Sequence, residues 1–311
     1  MRISVIIPTY NRSGFVGRTL DSVFAQTRPP DEVIVIDDGS TDRTPEVLAA
    51  YPHPIIHRRQ ENARIGAARN AGQHLATGDA LLFLDSDDLL RPTAIETLER
   101  TMEARPDAAL IYCLSQTIDA SDAVTEPLWD YQTHDGDVWE PLIRGNFIRS
   151  TGCALVRRAA LDQVGTWLTH SEMAINEDWE IWLRLAESYP FVRIPEPLFQ
   201  YRIHGVQLTA NEPDNYAWAM RVLDIQRERN RKNPKRMAIL AKAYDTFYEG
   251  TEFRWRRAMQ ADWKALRWRS ALNRRRYLNS LNHAHRIIME KFAPFRAAPV
   301  NDAVAVSGEK E

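Results

Sequence analysis

The apolar run Leu82-Phe83-Leu84 ends abruptly in Asp85-Ser86-Asp87-Asp88. Carboxylates at the carboxyl end of a buried strand lie where open α/β sheets bind ligands, and Asp85 and Asp87, two residues apart, can both face the crevice there. Hard oxygen donors of this kind suit Mg²⁺ or Mn²⁺. Grouped without a cation they repel one another, so the cluster implies either a bound metal or a well-hydrated turn. The same residues also meet the N-cap and dipole preferences of the helical pattern that follows at residues 89–104, and this stretch alone leaves both readings open.

Two further strand ends carry polar groups. Residues 33–42 repeat the pattern, with Val33 to Ile36 as a β-branched run followed by Asp37-Asp38-Gly39-Ser40-Thr41-Asp42. Such a run reads as a buried parallel strand. Ile3 to Ile7 forms another, ending in Pro8-Thr9-Tyr10-Asn11 and leading into a helical pattern over 14–26. In a doubly wound sheet all three ends line one crevice, the expected place for a nucleotide.

The elements that must position these residues follow from periodicity. Residues 1–112 alternate short β-rich runs with helical patterns at 14–26 and 92–104, the order of a mostly parallel sheet with right-handed crossovers. Between 113 and 152 the pattern weakens, and Trp129, Tyr131 and Trp139 stand among Asp and Gly, which reads as loops or irregular strands beside a cleft. Residues 153–165 are expected to return to the sheet. Residues 177–188 read as a helix with Ile181, Trp182 and Leu185 inward. From 215 to 292 the pattern is nearly continuous helix, broken at Pro234. The expected organisation is therefore a domain over 1–212, with a nucleotide-binding half at 1–112 and a catalytic half at 113–212, then a basic helical region at 213–296 and a disordered tail at 297–311.

The segments VIIPTYNR (5–12), VIVIDDGSTD (33–42), RIGAARNAG (64–72), FLDSDD (83–88) and NEDWEIWLRL (176–185) occur in the order found in family 2 glycosyltransferases of the GT-A fold, which residues 1–210 resemble. The resemblance implies an α/β domain with a Rossmann-like, mostly parallel sheet. It also implies a nucleotide-diphospho-sugar donor, with Pro8, Thr9, Tyr10, Asn11, Asp38, Arg69, Asp85 and Ser86 around the nucleotide. In that reading Asp38 accepts a hydrogen bond from N3–H of a uracil-like base and Tyr10 or a neighbour stacks on it, while Asp85 binds the ribose hydroxyls or supports the metal through water. The competing reading of Asp38 is a turn stabilised by Asp side chains. Arg69 approaches base or phosphates from a small-residue helix.

The metal then has a duty. Negative charge develops on the diphosphate as the sugar–oxygen bond breaks, and a divalent cation stabilises it. Asp87 is the expected ligand for Mn²⁺ or Mg²⁺, with Asp88 in either shell. His204 resembles a distal histidine near the metal or diphosphate in some relatives, against the general tendency of a lone histidine to be structural.

An acceptor hydroxyl must lose its proton as it attacks, which calls for a carboxylate base. The resemblance selects Asp178, with inversion at the anomeric carbon, and leaves Glu177 as an orienting or acceptor-binding group. The alternative is acid enrichment at a helix N-terminus, with Asn176 as cap and Glu180 in the first turn. The Gln-x-x-Arg-Trp motif of processive synthases does not occur, which points to transfer of a single sugar to a carbohydrate or lipid-linked acceptor, in the manner of cell-surface polysaccharide or glycolipid synthesis.

Composition narrows the class. A chain of 311 residues with 44% hydrophobic content can bury a substantial core. No charged leader with an apolar stretch opens it and no long uninterrupted apolar window is present, so the expected location is the cytoplasm. Cys113 and Cys153 lack metal-ligand spacing and read as core residues. Residues 1–220 hold 19 arginines and no lysine against 32 acids, a net charge of −13, whereas residues 221–296 hold 20 basic and 7 acidic residues, a net of +13. In the basic region Trp255, Met259, Trp263 and Leu266 fall on one helical face amid Arg254, Arg256, Arg257, Lys264, Arg267 and Arg269. The face either packs as core against the acidic domain or, over 253–292, lies on an anionic membrane. No recognition motif accompanies the charge, so nucleic acid is not an expected partner. Two other functions stay open: a nucleotidyltransferase, for which PTYNRSG is a poor phosphate loop, and a non-catalytic nucleotide-sugar binder, which would tolerate loss of one of Asp38, Asp87 and Asp178.

Overall fold

The computed structural model describes residues 1–126, 134–169, 171, 173, 175–205, 212–265 and 267–292. They divide into two compact units, Met1–Val222 and a second beginning at Leu223. Trp129, Tyr131 and the tail at 297–311 lie outside the described residues, as do Leu266 and the side chain of Trp263.

The first unit opens with β1 (Ile3–Thr9), α1 (Val16–Phe24), β2 (Glu32–Asp37), α2 (Thr44–Ala49), β3 (Ile56–Arg59), α3 (Arg64–Leu75) and β4 (Ala80–Phe83). Every residue of β1 and β4 is buried, as their apolar runs require, and α1 buries Val16, Thr19, Leu20 and Val23 at helical spacing. After β5 (Leu89–Leu90) and α4 (Ala94–Ala104) come β6 (Leu110–Ile118), β7 (Val124–Glu126), α5 (Trp139–Arg144), β8 (Ala154–Arg157) and α6 (Arg158–Val164). The unit continues with α7 (Glu177–Ala186) and β9 (Phe191–Arg202).

The strand order is β3-β2-β1-β4-β8-β6-β9-β5, with β7 pairing on β6. β3, β2, β1 and β4 are parallel. The second half departs from a parallel sheet: β8 runs antiparallel to both β4 and β6, and β9 then pairs parallel with β6. The chain thus returns through β8 to the middle of the sheet, and the sheet is mixed. Trp139, placed with the irregular stretch in the sequence, is buried at the start of α5. Ile181, Trp182 and Leu185 are all buried on α7, and both cysteines are buried and unlinked.

Parallel pairing sets the carboxyl ends of β1, β2 and β4 side by side. Thr9 is in register with Asp37, Asp38 N–H donates to the Thr9 carbonyl, and Leu84 N–H donates to the Ile6 carbonyl. α3 lies close enough on the sheet that a Cβ at Gly72 would stand 2.3 Å from Ile6 Cγ2. At Gly66 a Cβ would stand 2.1 Å from the Leu168 carbonyl oxygen, so this helix needs hydrogen on both faces.

The second unit is helical. The division falls within α8 (Glu212–Asn230), and α9 (Pro234–Lys264) and α10 (Trp268–Phe292) follow. Pro234 opens α9, where its missing N–H costs nothing, and a further break separates α9 from α10. The two long helices are joined by Tyr248 Oη donating to Asn282 Oδ1 at 2.7 Å, by the stacked rings of Tyr248 and His285, and by Arg274 over the buried ring of Trp255.

Candidate active site

The three strand ends are stitched together by the residues that mark them. Asn11, at φ 54°, accepts from Thr41 N–H at 2.8 Å through Oδ1, and its own N–H donates to Ser40 Oγ at 2.9 Å. Asp38 is buried, accepting through Oδ1 from Gln60 Nε2 at 2.7 Å and Ala63 N–H at 2.9 Å, and through Oδ2 from Arg64 N–H at 2.8 Å. It therefore anchors the entry into α3. Tyr10 is 41% exposed beside it, and Ser86 is buried in the acidic turn.

The acidic turn splits into three fates. Asp88 is buried, with Oδ1 accepting from Arg202 N–H at 2.9 Å, while its carbonyl accepts from Thr19 Oγ1 at 2.9 Å. Burial, then the charges of Asp87 and Asp85, holds its pKa well above the usual carboxylate range. Asp88 thus fastens the turn to β9. Asp87 Oδ2 lies 2.9 Å from Arg12 Nε and 3.0 Å from His204 Nε2. Asp85 faces the other way, toward Arg69, and burial raises its pKa against the pull of that arginine.

Arg69 sits at the centre, its side chain only 3% exposed. Nη1 donates to Glu177 Oε1 at 2.6 Å, and Nη2 donates to Asp85 Oδ1 at 3.0 Å and Thr151 Oγ1 at 3.3 Å. The guanidinium also lies 4.9 Å from the ring centre of Trp167. The turn after β4 and the first residue of α7 are thereby bound to one buried cation.

α7 begins with a forced geometry. Asn176 is left-handed at φ 69° and makes no side-chain capping bond. The cap expected of it passes instead to Asp178, whose Oδ1 accepts from Trp179 N–H at 2.7 Å. Asp178 Oδ2 accepts from Asn146 Nδ2 at 3.2 Å. Loss of surrounding water pushes the Asp178 pKa up to about 7; Glu177 adds to the rise and Arg69 opposes it. A carboxylate tuned to neutrality at the mouth of a helix can act as a general base. Behind it, Trp179 Nε1 donates to the Leu142 carbonyl at 2.7 Å, and the buried Glu180–Arg184 pair ties α7 to the carbonyls of Val164 and Thr166.

Among the described residues no three His, Cys, Asp or Glu side chains converge to hold a cation. Asp87 and His204 do converge, on one carboxylate oxygen. The carboxylate suits Mn²⁺ or Mg²⁺, which keep waters and accept phosphate oxygens for the remaining positions, and the imidazole is a softer donor better matched to Mn²⁺ than to Mg²⁺. Asp88 Oδ1 is engaged with β9 through Arg202 N–H.

Four contributors carry no role in the sequence reading: Arg12, Asn146, Thr151 and Arg202. Arg12 stands in the first motif, directly after Asn11. Arg202 is buried, its Nε donating to the Asp87 carbonyl at 2.5 Å and its guanidinium pairing with Asp122. It precedes His204 by two residues, the one local signal for it. Asn146 and Thr151 lie in weakly patterned sequence and give none.

Polar side chains at the ends of β1, β2 and β4, acidic at the latter two, together with the carboxylate at the start of α7, mark a transferase of the GT-A architecture. Residues 4–165 match the model of glycosyl transferase family 2, and the chain belongs to that family. It is 37% identical over 113 residues to the glycosyltransferase GlyA of Streptococcus pneumoniae, covering 35% of this chain and 16% of that protein. An uncharacterized glycosyltransferase of Nostoc is 30% identical over 226 residues, 66% of each chain. The chain thus spans from a sixth to two thirds of these relatives. Among solved structures it superposes on Staphylococcus aureus TarS 1-349 in complex with UDP-GlcNAc with a TM-score of 0.59 and 16% identity, covering 92% of each chain. That likeness establishes the shared fold.

Proposed function

We propose that this chain transfers a single sugar, with inversion, from a nucleotide-diphospho-sugar to an acceptor hydroxyl, with Asp178 as base. One observation carries the reading: Arg69 binds Asp85 and Glu177 together at 3.0 and 2.6 Å, so the donor turn and the base helix meet at one point. A sugar held over Asp85 then presents its anomeric carbon toward α7. The acceptor oxygen attacks that carbon as Asp178 takes its proton, and the bond to the diphosphate breaks on the opposite face. The nucleoside diphosphate leaves with the bonding pair, and one inversion results.

Asp87 and His204 would hold Mn²⁺ or Mg²⁺, which supplies positive charge for the departing diphosphate. Tyr10 offers a ring to the base, and the second oxygen of Asp38 has a lone pair for an N–H such as that of uracil. Structures of TarS with UDP and with UDP-GlcNAc support a UDP-sugar donor for a chain of this fold. The acceptor is a carbohydrate or lipid-linked hydroxyl in cell-surface polysaccharide or glycolipid assembly. No described helix is long and apolar enough to cross a membrane. On α10 the exposed Leu272, Arg275, Arg276, Arg286 and Ile287 share one side, which supports peripheral contact with an anionic membrane.

Calorimetric titration of UDP, GDP and dTDP, each with and without Mn²⁺, tests the donor site. Selective binding of one nucleotide that needs the metal is the expected result. No binding of any of them overturns the reading.

A further inference from the structure

Asp87 Oδ2 is contested. The oxygen that would meet a cation already receives Arg12 Nε at 2.9 Å, and the chain's other candidate ligand, His204 Nε2, lies 3.0 Å from the same oxygen. The Arg12 side chain is about one-fifth exposed, and its further contact is Nη1 to the carbonyl of its neighbour Asn11 at 3.2 Å. The backbone that carries it is fixed, since Arg12 N–H donates to Thr44 Oγ1 at 2.8 Å and the Arg12 carbonyl receives Phe15 and Val16 N–H. The Asp87 side is fixed as well: Arg202 Nε grips the Asp87 carbonyl, and the ring of His204 stacks on Phe15 at 4.9 Å. A partly exposed guanidinium therefore bridges two hydrogen-bonded loops at the first strand end.

We infer that Arg12 is an exchange residue for the donor: in the nucleotide-free protein it neutralises Asp87, and on donor binding it passes Asp87 to the divalent cation and turns its guanidinium to the diphosphate. The inference rests on the donor reading above. Its physical basis is charge. A carboxylate in a turn with two other acids is favoured in its charged form by a counter-ion within a few ångströms. A guanidinium and a divalent cation cannot share its oxygen at coordination distance without strong repulsion. A displaced arginine finds in a diphosphate the planar, bidentate partner it favours. The exchange makes metal and nucleotide cooperative, since each favours the conformation the other requires, and by linkage the enhancement is mutual.

The experiment measures binding alone. Mn²⁺ is titrated into wild type and R12Q without nucleotide, and UDP into each with saturating Mn²⁺. R12Q is expected to bind Mn²⁺ about tenfold more tightly than wild type and UDP about tenfold more weakly, each step corresponding to roughly 1.4 kcal/mol. R12K, which keeps the charge, is expected to recover part of the UDP affinity, and D87N to lose the Mn²⁺ site. Unchanged Mn²⁺ affinity in R12Q overturns the competition, and unchanged UDP affinity overturns the phosphate contact; either ends the inference while leaving the donor site standing. Tight UDP binding that is indifferent to Mn²⁺ also overturns the exchange alone. Failure of wild type to bind any nucleoside diphosphate overturns the donor reading and this inference together.

Discussion

Arg69 Nη1 lies 2.6 Å from Glu177 Oε1 across 108 residues of sequence, and the two side chains are almost without solvent. The same guanidinium holds Asp85, so removing it strands two carboxylates in a poorly hydrated place. Breaking a buried pair by deleting one partner costs about 3–5 kcal/mol. Arg69→Ala is therefore expected to lose stability on that scale in chemical denaturation, and Arg69→Lys to recover a fraction of it. If Arg69→Ala unfolds with the wild-type midpoint, the pair does not anchor α7.

Asp178 must be ionised to accept a proton, and burial lifts its pKa to about 7. kcat/KM should therefore rise with pH and level off above about 7. Asn146 bonds the ionised form, so Asn146→Ala should move the midpoint upward. Asp178→Asn is expected to cut kcat by about 10²–10⁴ with UDP affinity nearly unchanged. Stability follows the opposite course. Between the ordinary value of 3.8 and about 7 the folded protein keeps a proton that the unfolded chain has lost, so this group's contribution falls as pH rises through that window. Denaturation midpoints of Asp178→Asn against pH should lack that component; an unaltered pH dependence of both rate and stability would remove Asp178 from the role.

Asp87 is partly exposed and reaches Arg12 and His204 through its side chain alone, while its carbonyl holds Arg202. Asp87→Ala should keep the fold and lose metal-dependent transfer, with a wild-type melting profile but no UDP release above background. Transfer that persists in wild type after EDTA treatment would contradict the ligand assignment.

The first half of the fold was readable because its signals are local. A β-branched run marks β1, a β-branched run followed by acids marks β2, an apolar run ending in acids marks β4 and its turn, and Pro234 marks the start of α9. The insertion of β8 between β4 and β6 was not readable, since Ala-Leu-Val-Arg carries no sign of its partners or direction. The same holds for the parallel match of β6 to β9, which joins residues some eighty positions apart. In the site, residue types were legible and partners were not: Arg12 with Asp87, Arg69 with Glu177 and Arg202 with Asp88 each link distant segments. Asp88 is a further case: its place in the acidic turn was legible, and the bond its Oδ1 accepts from the backbone N–H of Arg202 on β9 was not.

Gly66 tests how closely α3 must lie. A methyl group there would meet the Leu168 carbonyl oxygen at 2.1 Å, a backbone atom that no rotamer change can move. Overpacking of this kind costs about 1–3 kcal/mol. The displaced segment adjoins Trp167, whose ring covers Arg69 and whose N–H and carbonyl both bond Asn70. Gly66→Ala should therefore lower both the melting temperature and kcat, and a variant that lost neither would show that this contact does not position the site.

The outer side of α10 bears on where the reaction occurs. Leu272, Arg275, Arg276, Asn279, His283, Arg286, Ile287 and Glu290 are exposed and fall within one helical arc, while Leu278, Leu281 and Met289 are buried. Trp255 is turned inward under Arg274 and serves helix pairing, and the cationic arc is a different surface. Each arginine near an anionic bilayer contributes about 1 kcal/mol, and two aliphatic side chains add shallow insertion. The intact protein should therefore sediment with phosphatidylserine-containing vesicles, and R275E/R276E/R286E should release it while UDP binding stays as in wild type. Equal partition of both proteins into the supernatant would leave the arc as an ordinary solvated face.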